Sequence, residues 1–258
     1  MILRLYTVFL SLVFVLYSYG QNEAYQKMSF EKDGQRMPYR LLLPKNYDNT
    51  ETYPLILVLH GSGERGSDNE LQLTHGASLF LEDATREKYP AVVVFPQCAE
   101  NSSWAAIKVT GELGNRAFTF YKRGQPTKDM LLLEGLLKHL KTTYAIDKDR
   151  MYVGGLSMGG MGTFELVRRN PKMFAAGFPI CGGANTAIAN RIRRTRWWVF
   201  HGKADDVVPS KYSTKIVDAL RAAGADVQYS LYPDVKHDSW NNAFAEPELL
   251  PWLFSISK

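Results

Sequence analysis

The chain has 258 residues, of which 45% are hydrophobic and 22% are charged, and its formal net charge is +5. This length is sufficient for one α/β domain with a large buried core, and we predict no second domain. The modest positive charge is scattered along the chain, so it does not favour a nucleic-acid partner. The densest basic stretch, residues 191–196, leads directly into an apolar run, which favours a solvated loop before a buried strand over a phosphate-binding site.

The first twenty residues have the pattern of a secretory signal peptide. Arg4 supplies a positive start, an apolar run follows over residues 5–17, and small residues close the segment at Gly20. The run is shorter than the roughly 20 apolar residues that a membrane-spanning helix needs, so cleavage is favoured over a membrane anchor. We therefore predict that residues 1–20 are removed and that a single mature domain, residues 21–258, is secreted or periplasmic.

Apolar runs of strand length alternate with longer helical patterns, which is typical of a mostly parallel sheet flanked by helices. The continuous apolar character of the strand-like runs indicates burial on both faces of that sheet. The predicted strands are residues 40–43, 55–59, 91–95, 151–153, 197–200 and 227–232. The predicted helices are residues 129–144, 158–169, 210–223 and 247–254.

A long connection, residues 96–128, interrupts this alternation without a clear period. Connections of that length in compact domains tend to be functional. An ordered surface excursion without a ligand role is the alternative interpretation.

The two cysteines, Cys98 and Cys181, each follow a strand-like apolar run. That position favours two buried, unreactive thiols over a disulfide, although the pair could form in an oxidising compartment. Their separation also lacks the clustered spacing of a structural zinc site. The sequence predicts neither a metal nor a cofactor.

A five-residue motif, Gly155-Leu156-Ser157-Met158-Gly159, stands between a predicted strand and a predicted helix. This context is typical of a nucleophile elbow, in which a strained turn projects the serine hydroxyl above the edge of the sheet. Glycines flank the serine because larger side chains would collide at so tight a turn. Ser157 is therefore the candidate nucleophile.

A serine hydroxyl is a weak nucleophile, so it needs a histidine to accept its proton and an acid to orient that histidine. In hydrolases with such an elbow the chain order is serine, acid, histidine. Three of the five histidines precede Ser157 and are excluded on that ground: His60, His75 and His139. Of the two that remain, His201 precedes the candidate acids, so we predict that His237 is the base.

The candidate acid lies in residues 201–209, a loop between a predicted strand and a predicted helix. Such a loop lies at the carboxyl edge of a parallel sheet, where the nucleophile is also expected. Asp205 and Asp206 compete for the role. Asp234, in the final loop with His237, is a third candidate because some hydrolases take the acid from a different strand end.

Two backbone N–H groups are expected to stabilise the oxyanion. The first is that of Met158, directly after the nucleophile. The second is that of Ser62, with Gly63 as the alternative, in the glycine-rich segment 60–66 that follows a buried strand. The competing interpretation of this segment is a glycine-rich turn with no catalytic role.

Two tryptophans are candidates for the walls of the substrate site. Trp104 lies in the long connection, and Trp240 follows His237 by three residues. Buried aromatic residues are commonly part of the core, and that is the competing interpretation for both.

Five blocks of the chain together resemble the α/β-hydrolase superfamily, in its branch of secreted esterases called phospholipase/carboxylesterase or prolyl-oligopeptidase-like. The blocks are residues 59–66, residues 95–98 with Trp104, residues 155–160, residues 201–209 and residues 237–240. The resemblance implies an α/β-hydrolase fold with Ser157 as nucleophile, His237 as base and Asp205, rather than Asp206, as acid.

The same blocks are similar to those of feruloyl and acetyl-xylan esterases of polysaccharide-degrading bacteria. That resemblance implies a serine esterase whose substrate is a small-molecule or glycan ester, such as an acyl group on a plant cell-wall polysaccharide. Two other functions stay open: a serine exopeptidase of the prolyl-oligopeptidase type, and a catalytically inactive homologue that binds carbohydrate.

Overall fold

An eight-stranded sheet organises residues 22–258, which are the residues described by this computed structural model. The predicted signal peptide, residues 1–20, lies outside the described residues. The strands are β1 (Gln26–Lys32), β2 (Gln35–Leu42), β3 (Tyr53–Leu59), β4 (Val92–Pro96), β5 (Ile107–Thr110), β6 (Ala117–Phe120), β7 (Ile146–Leu156), β8 (Ala176–Ile180), β9 (Arg196–Gly202) and β10 (Val227–Tyr232).

The large sheet has the strand order β1-β2-β4-β3-β7-β8-β9-β10, and β5 and β6 form a separate hairpin. Strand β2 pairs antiparallel with both β1 and β4, whereas all the other neighbours in the large sheet are parallel. The predicted α/β class with a mostly parallel sheet is confirmed.

Helices cover both faces of this sheet. They are α1 (Asp83–Lys88), α2 (Lys128–Thr143), α3 (Met158–Arg169), α4 (Ala189–Ile192), α5 (Lys211–Ala222), α6 (Trp240–Phe244) and α7 (Leu249–Phe254). On one face, Leu136 of α2 and Phe164 of α3 pack against the sheet. On the other face, Leu253 of α7 and Phe80 of a short 3-10 helix do the same. Every residue of β3, β4 and β8 is consequently buried, which is why these strands read as continuous apolar runs.

The sequence pattern located some elements to the residue and missed others. The predicted helix 158–169 has the observed bounds of α3, and the predicted strand 227–232 those of β10. By contrast, β1 was not predicted because it is an edge strand with an almost wholly exposed pattern, so it has few apolar residues to reveal it. The β5–β6 hairpin in the long connection escaped detection since each strand has only four residues.

Within residues 22–258, no helix is both long enough and apolar enough to cross a membrane. Both cysteines of this part of the chain are free and fully buried, in agreement with the prediction of two unreactive thiols.

The carboxyl ends of the parallel strands place the candidate residues together. Ser157 follows β7 directly, Asp205 follows β9, and His237 follows β10. The first turn of α3 packs tightly against the end of β3: a Cβ atom on Gly159 would lie 1.9 Å from the carbonyl oxygen of Leu59. Only glycine allows this approach, which sets the position of the turn that carries Ser157.

We expect Gly159→Ala to destabilise the protein by about 2 kcal/mol or more, because the new methyl group meets backbone that cannot move aside. Gly63→Ala is the matched control, since a Cβ there meets nothing within 4 Å, and it should change stability by less than about 0.5 kcal/mol. Urea unfolding of both variants measures the difference. Equal stability of the two variants would contradict the packing argument.

Candidate active site

Three of the predicted side chains form one continuous chain of hydrogen bonds. The Nε2 atom of His237 lies 2.9 Å from Oγ of Ser157, and its Nδ1 atom lies 2.7 Å from Oδ2 of Asp205. Because a carboxylate only accepts hydrogen bonds, Nδ1 carries the proton and Nε2 is left to accept the proton of the serine. The arrangement has the geometry needed to activate a serine hydroxyl.

Ser157 occupies a strained turn between β7 and α3. Its φ angle is +53°, in a region that residues other than glycine rarely adopt. The backbone on either side holds it there: Ser157 N–H donates to the carbonyl of Ile180 at 2.9 Å, and Met161 N–H donates to the Ser157 carbonyl at 3.0 Å. A strained turn at this position is consistent with the predicted elbow.

Asp205 is buried and fully hydrogen-bonded. Its Oδ1 atom accepts from the backbone N–H groups of Val207 and Val208, each at 2.9 Å. Its Oδ2 atom contacts both His237 and His201. Burial raises the pKa of this carboxyl, but hydrogen bonds from His201 and His237 outweigh that effect and hold the pKa well below its usual range. Asp205 is therefore ionised at neutral pH.

The structure separates the three candidate acids by position. Asp205 points into the site, whereas Asp206 and Asp234 are exposed. The backbone carbonyl of Asp206 instead accepts from Gly114, in the turn between β5 and β6, at 3.0 Å. The arrangement favours Asp205 because it alone meets His237.

The two predicted oxyanion donors lie on segments that meet at the turn carrying Ser157. Met158 is the first residue of α3, where backbone N–H groups have no acceptor within the helix. Ser62 begins a 3-10 helix, Ser62–Glu64, and the preceding Gly61 abuts the elbow: a Cβ on Gly61 would lie 3.0 Å from Cδ1 of Leu156. Both N–H groups remain predicted oxyanion donors.

The buried side chain of His60 stabilises the loop that carries Ser62 through hydrogen bonds. Burial lowers the pKa of His60 to about 4, so the ring is neutral at physiological pH. The backbone N–H of Cys98 donates to Nε2 of His60 at 2.9 Å. The Nδ1–H group of His60 donates to the carbonyl of Gly61 at 2.6 Å. His60 therefore has a structural role in holding this loop.

The expectation that Trp104 walls the substrate site needs correction. Its side chain is completely buried, so it offers no surface to a ligand. Its Nε1–H group donates to the carbonyl of His60 at 3.1 Å, and its ring meets the His60 ring edge-on at 5.3 Å. Trp104 supports the segment 60–66 from the core, which was the competing interpretation.

Trp240 does lie at the site. It is half-buried and its ring contacts two imidazoles, that of His237 with centroids 5.5 Å apart and that of His75 with centroids 4.9 Å apart. The Nε2 atom of His75 in turn lies 3.6 Å from Oε1 of Glu64, in the glycine-rich segment 60–66. Trp240 thus lies between His237 on one side and the polar pair of His75 and Glu64 on the other.

Sequence reasoning set His201 aside as a base and assigned it no other role. The structure places it directly against Asp205, with Nε2 3.1 Å from Oδ2. The available signal was its spacing, four residues before Asp205 at the end of a buried strand.

Cys181, Asp205 and His237 place potential metal ligands within 4.8 Å of one another. Their bonding fits proton transfer better than metal binding. Both nitrogens of His237 are already engaged, with Ser157 and with Asp205. Burial also raises the pKa of the Cys181 thiol, and a neutral thiol is a poor metal ligand.

A mostly parallel sheet that presents linked serine, histidine and aspartate side chains at its carboxyl edge is the arrangement of α/β serine hydrolases. Residues 31–199 match the family model described as putative esterase, and residues 184–250 match that of the prolyl oligopeptidase family. The chain therefore belongs to the putative esterase family.

Individual relatives agree with this family. A poly(3-hydroxyalkanoate) depolymerase C of Paucimonas lemoignei is 28% identical over 50% of this chain and 28% of its own length. A bifunctional acetylxylan esterase/xylanase of Neocallimastix patriciarum is 30% identical over 60% of this chain and 20% of its own length. The chain thus spans under a third of either relative. A solved structure described as a thermostable esterase has a TM-score of 0.82 and 34% identity, covering 92% of this chain and 64% of that one.

The choice between the two adjacent aspartates can be tested directly. We expect Asp205→Asn to lower kcat by roughly 10³- to 10⁴-fold, because the amide no longer stabilises the protonated His237 or imposes its tautomer. Asp206→Asn, exposed and adjacent, should stay within about threefold of wild type. Steady-state hydrolysis of p-nitrophenyl acetate measures both. A larger loss in the Asp206 variant would assign the acid to Asp206.

Proposed function

We propose that this protein is a serine carboxylic-ester hydrolase. The observation that carries the proposal is the hydrogen-bond chain from Ser157 through His237 to Asp205, in a member of an esterase family. The strained elbow supports it further, since such strain persists where it serves a mechanism.

The proposed reaction has two halves. Oγ of Ser157 attacks the ester carbonyl while Nε2 of His237 takes its proton, and Asp205 stabilises the imidazolium that forms. The N–H groups of Met158 and Ser62 bind the oxyanion. The imidazolium then protonates the departing alcohol, and a water activated by the same nitrogen hydrolyses the acyl-enzyme.

The proposed substrate is an acyl ester of a polysaccharide, with acetyl and feruloyl groups as the leading candidates. The similarity to an acetylxylan esterase/xylanase supports a glycan alcohol. Trp240 also supports a glycan or feruloyl ester, because a half-buried indole next to His237 is a suitable surface for a sugar or aryl ring. If the predicted signal peptide is cleaved, the protein is secreted or periplasmic and has access to such a polysaccharide.

A serine exopeptidase is the second candidate. The match of residues 184–250 to the prolyl oligopeptidase family favours it, since that range contains Asp205 and His237. Peptidase and esterase share the same proton transfers and differ in the leaving group, so a substrate comparison separates them.

We expect Ser157→Ala to abolish measurable turnover of p-nitrophenyl acetate, because removal of the nucleophile of a catalytic triad lowers kcat by roughly 10⁵-fold or more. Circular dichroism should remain native, since the hydroxyl is at the surface of the elbow. Wild type should also react with a fluorophosphonate probe, and the variant should not. Retained turnover in the variant would remove Ser157 as nucleophile; an unlabelled wild type would favour the inactive carbohydrate-binding homologue.

The acyl group is tested by comparing acetylated xylan, butyryl esters, methyl ferulate and an N-terminally free peptide p-nitroanilide. The proposal expects kcat/KM to be highest for one of the glycan or feruloyl esters. A preference for the anilide would establish the peptidase instead.

The role of Trp240 gives a further prediction. Trp240→Ala should lower the ratio of kcat/KM for methyl ferulate to kcat/KM for ethyl acetate by roughly tenfold, because the larger ester loses its aromatic contact. Trp252→Ala is the matched control: that indole, on α7, is also half-buried, but it packs on Trp198 of β9, and the ratio should not change. An unchanged ratio in both variants would exclude Trp240 from the substrate site.

A further inference from the structure

A second histidine, His201, shares the carboxylate of Asp205 with His237. It lies near the end of β9 and its side chain is completely buried, whereas that of His237 is 17% exposed. Sequence order excludes it as the base, and a ring so enclosed cannot reach a substrate. Its position against the acid needs another explanation.

The hydrogen bonds of His201 determine where one proton lies. Its Nε2 atom lies 2.8 Å from the carbonyl oxygen of Val208 and 3.1 Å from Oδ2 of Asp205. At neutral pH both neighbours only accept hydrogen bonds, so Nε2 must carry a proton. That N–H group is aimed at the acid whatever the state of the other ring nitrogen.

The opposite side of the ring is held by Ser213 of α5. Oγ of Ser213 lies 2.7 Å from Nδ1 of His201 and 2.8 Å from the carbonyl oxygen of Gly182. Gly182 follows β8, so the imidazole is fixed between β9, α5 and the loop after β8. A ring pinned at both nitrogens and sealed from water keeps one orientation through the reaction.

Asp205 consequently has four hydrogen-bond donors, of which only one takes part in proton transfer. Oδ1 receives two backbone N–H groups, and Oδ2 receives His201 and His237. The carboxylate therefore keeps its orientation when the more exposed His237 moves toward the serine or the leaving alcohol.

We propose that His201 is a positioning residue that fixes Asp205 and, by sharing its Oδ2 atom, sets the pH range in which His237 can act as base. The proposal rests on the esterase function proposed above. A donor on Oδ2 withdraws part of the negative charge that His237 faces, so it makes the protonated form of that imidazole less favourable. His201 would thereby extend activity toward lower pH.

The charged and titratable groups around Asp205 are few. His201 faces it from β9, His237 from the loop after β10, and the Cys181 thiol from the end of β8. Burial, and then the Asp205 charge, raise the pKa of that thiol, so it stays neutral. Asp238 acts on the same thiol from a greater distance and is exposed. Burial raises the pKa of Asp205, and the hydrogen bond from His201 is the largest of the effects that lower it.

Three variants of the full chain separate this role from a purely structural one. His201→Leu removes the donor, His201→Gln retains an N–H group at about the reach of Nε2, and Ser213→Ala loosens the anchor without touching Asp205. The readout is the pH dependence of kcat and KM for p-nitrophenyl acetate. Should His201→Leu fail to fold by circular dichroism, His201→Asn replaces it, because the shorter amide cannot reach Oδ2.

We expect loss of the donor to lower kcat by roughly 10- to 100-fold with little change in KM, as for loss of a hydrogen bond to a charged group. The acidic limb of the kcat profile should move to higher pH by about half a unit or more, since Asp205 then holds a proton on His237 more strongly. His201→Gln should restore kcat to within about fivefold of wild type and return the acidic limb.

The proposal is overturned if the donor-lacking variant keeps the wild-type acidic limb, or if Ser213→Ala, which leaves the donor in place, moves that limb further than loss of the donor does. It is also overturned if His201→Gln folds but restores nothing. These outcomes are distinct from failure of the esterase function itself, in which wild type would show no turnover that depends on Ser157.

Discussion

The close contact between the end of β3 and the first turn of α3 is the constraint on which the site depends. A side chain on Gly159 would overlap the Leu59 carbonyl, and one on Gly155 would lie 2.4 Å from the same oxygen. With glycine at both positions, β7 can turn into α3 within one residue, and Ser157 takes up the strain of that turn. Ser157, the start of α3 and the loop after β3 are thereby brought to one point.

The groups around that point are held by bonds that do not take part in the chemistry. Trp104 holds the segment 60–66 from the core, because its indole N–H donates to the carbonyl of His60 and its ring contacts the His60 ring. Backbone N–H groups and His201 fix Asp205. His237, by contrast, is partly exposed, and within residues 22–258 its ring nitrogens bond to Ser157 and Asp205 alone. A side chain with this freedom suits the proposed base, which would serve first the serine and then the leaving group.

Asp205 is the buried charge that defines the electrostatics of the site. A buried charge is costly unless it is fully hydrogen-bonded, and Asp205 meets that condition with four donors. The neighbouring Cys181 thiol is kept neutral by the same burial and by the Asp205 charge. Asp205 is therefore the negative charge that faces His237, as the proposed proton transfer requires.

The sequence by itself determined the features that depend on neighbours along the chain. The elbow motif singled out Ser157 as candidate nucleophile, chain order singled out His237 as candidate base, and the alternation of strand-length apolar runs with helical patterns predicted the mostly parallel sheet. Tertiary structure decided what depends on distant contacts: that Asp205 and not Asp206 faces the base, that Trp104 is core, and that His201 adjoins the acid. The physical reason is that burial and hydrogen-bond partners are supplied by elements far apart in sequence, which a local pattern does not record.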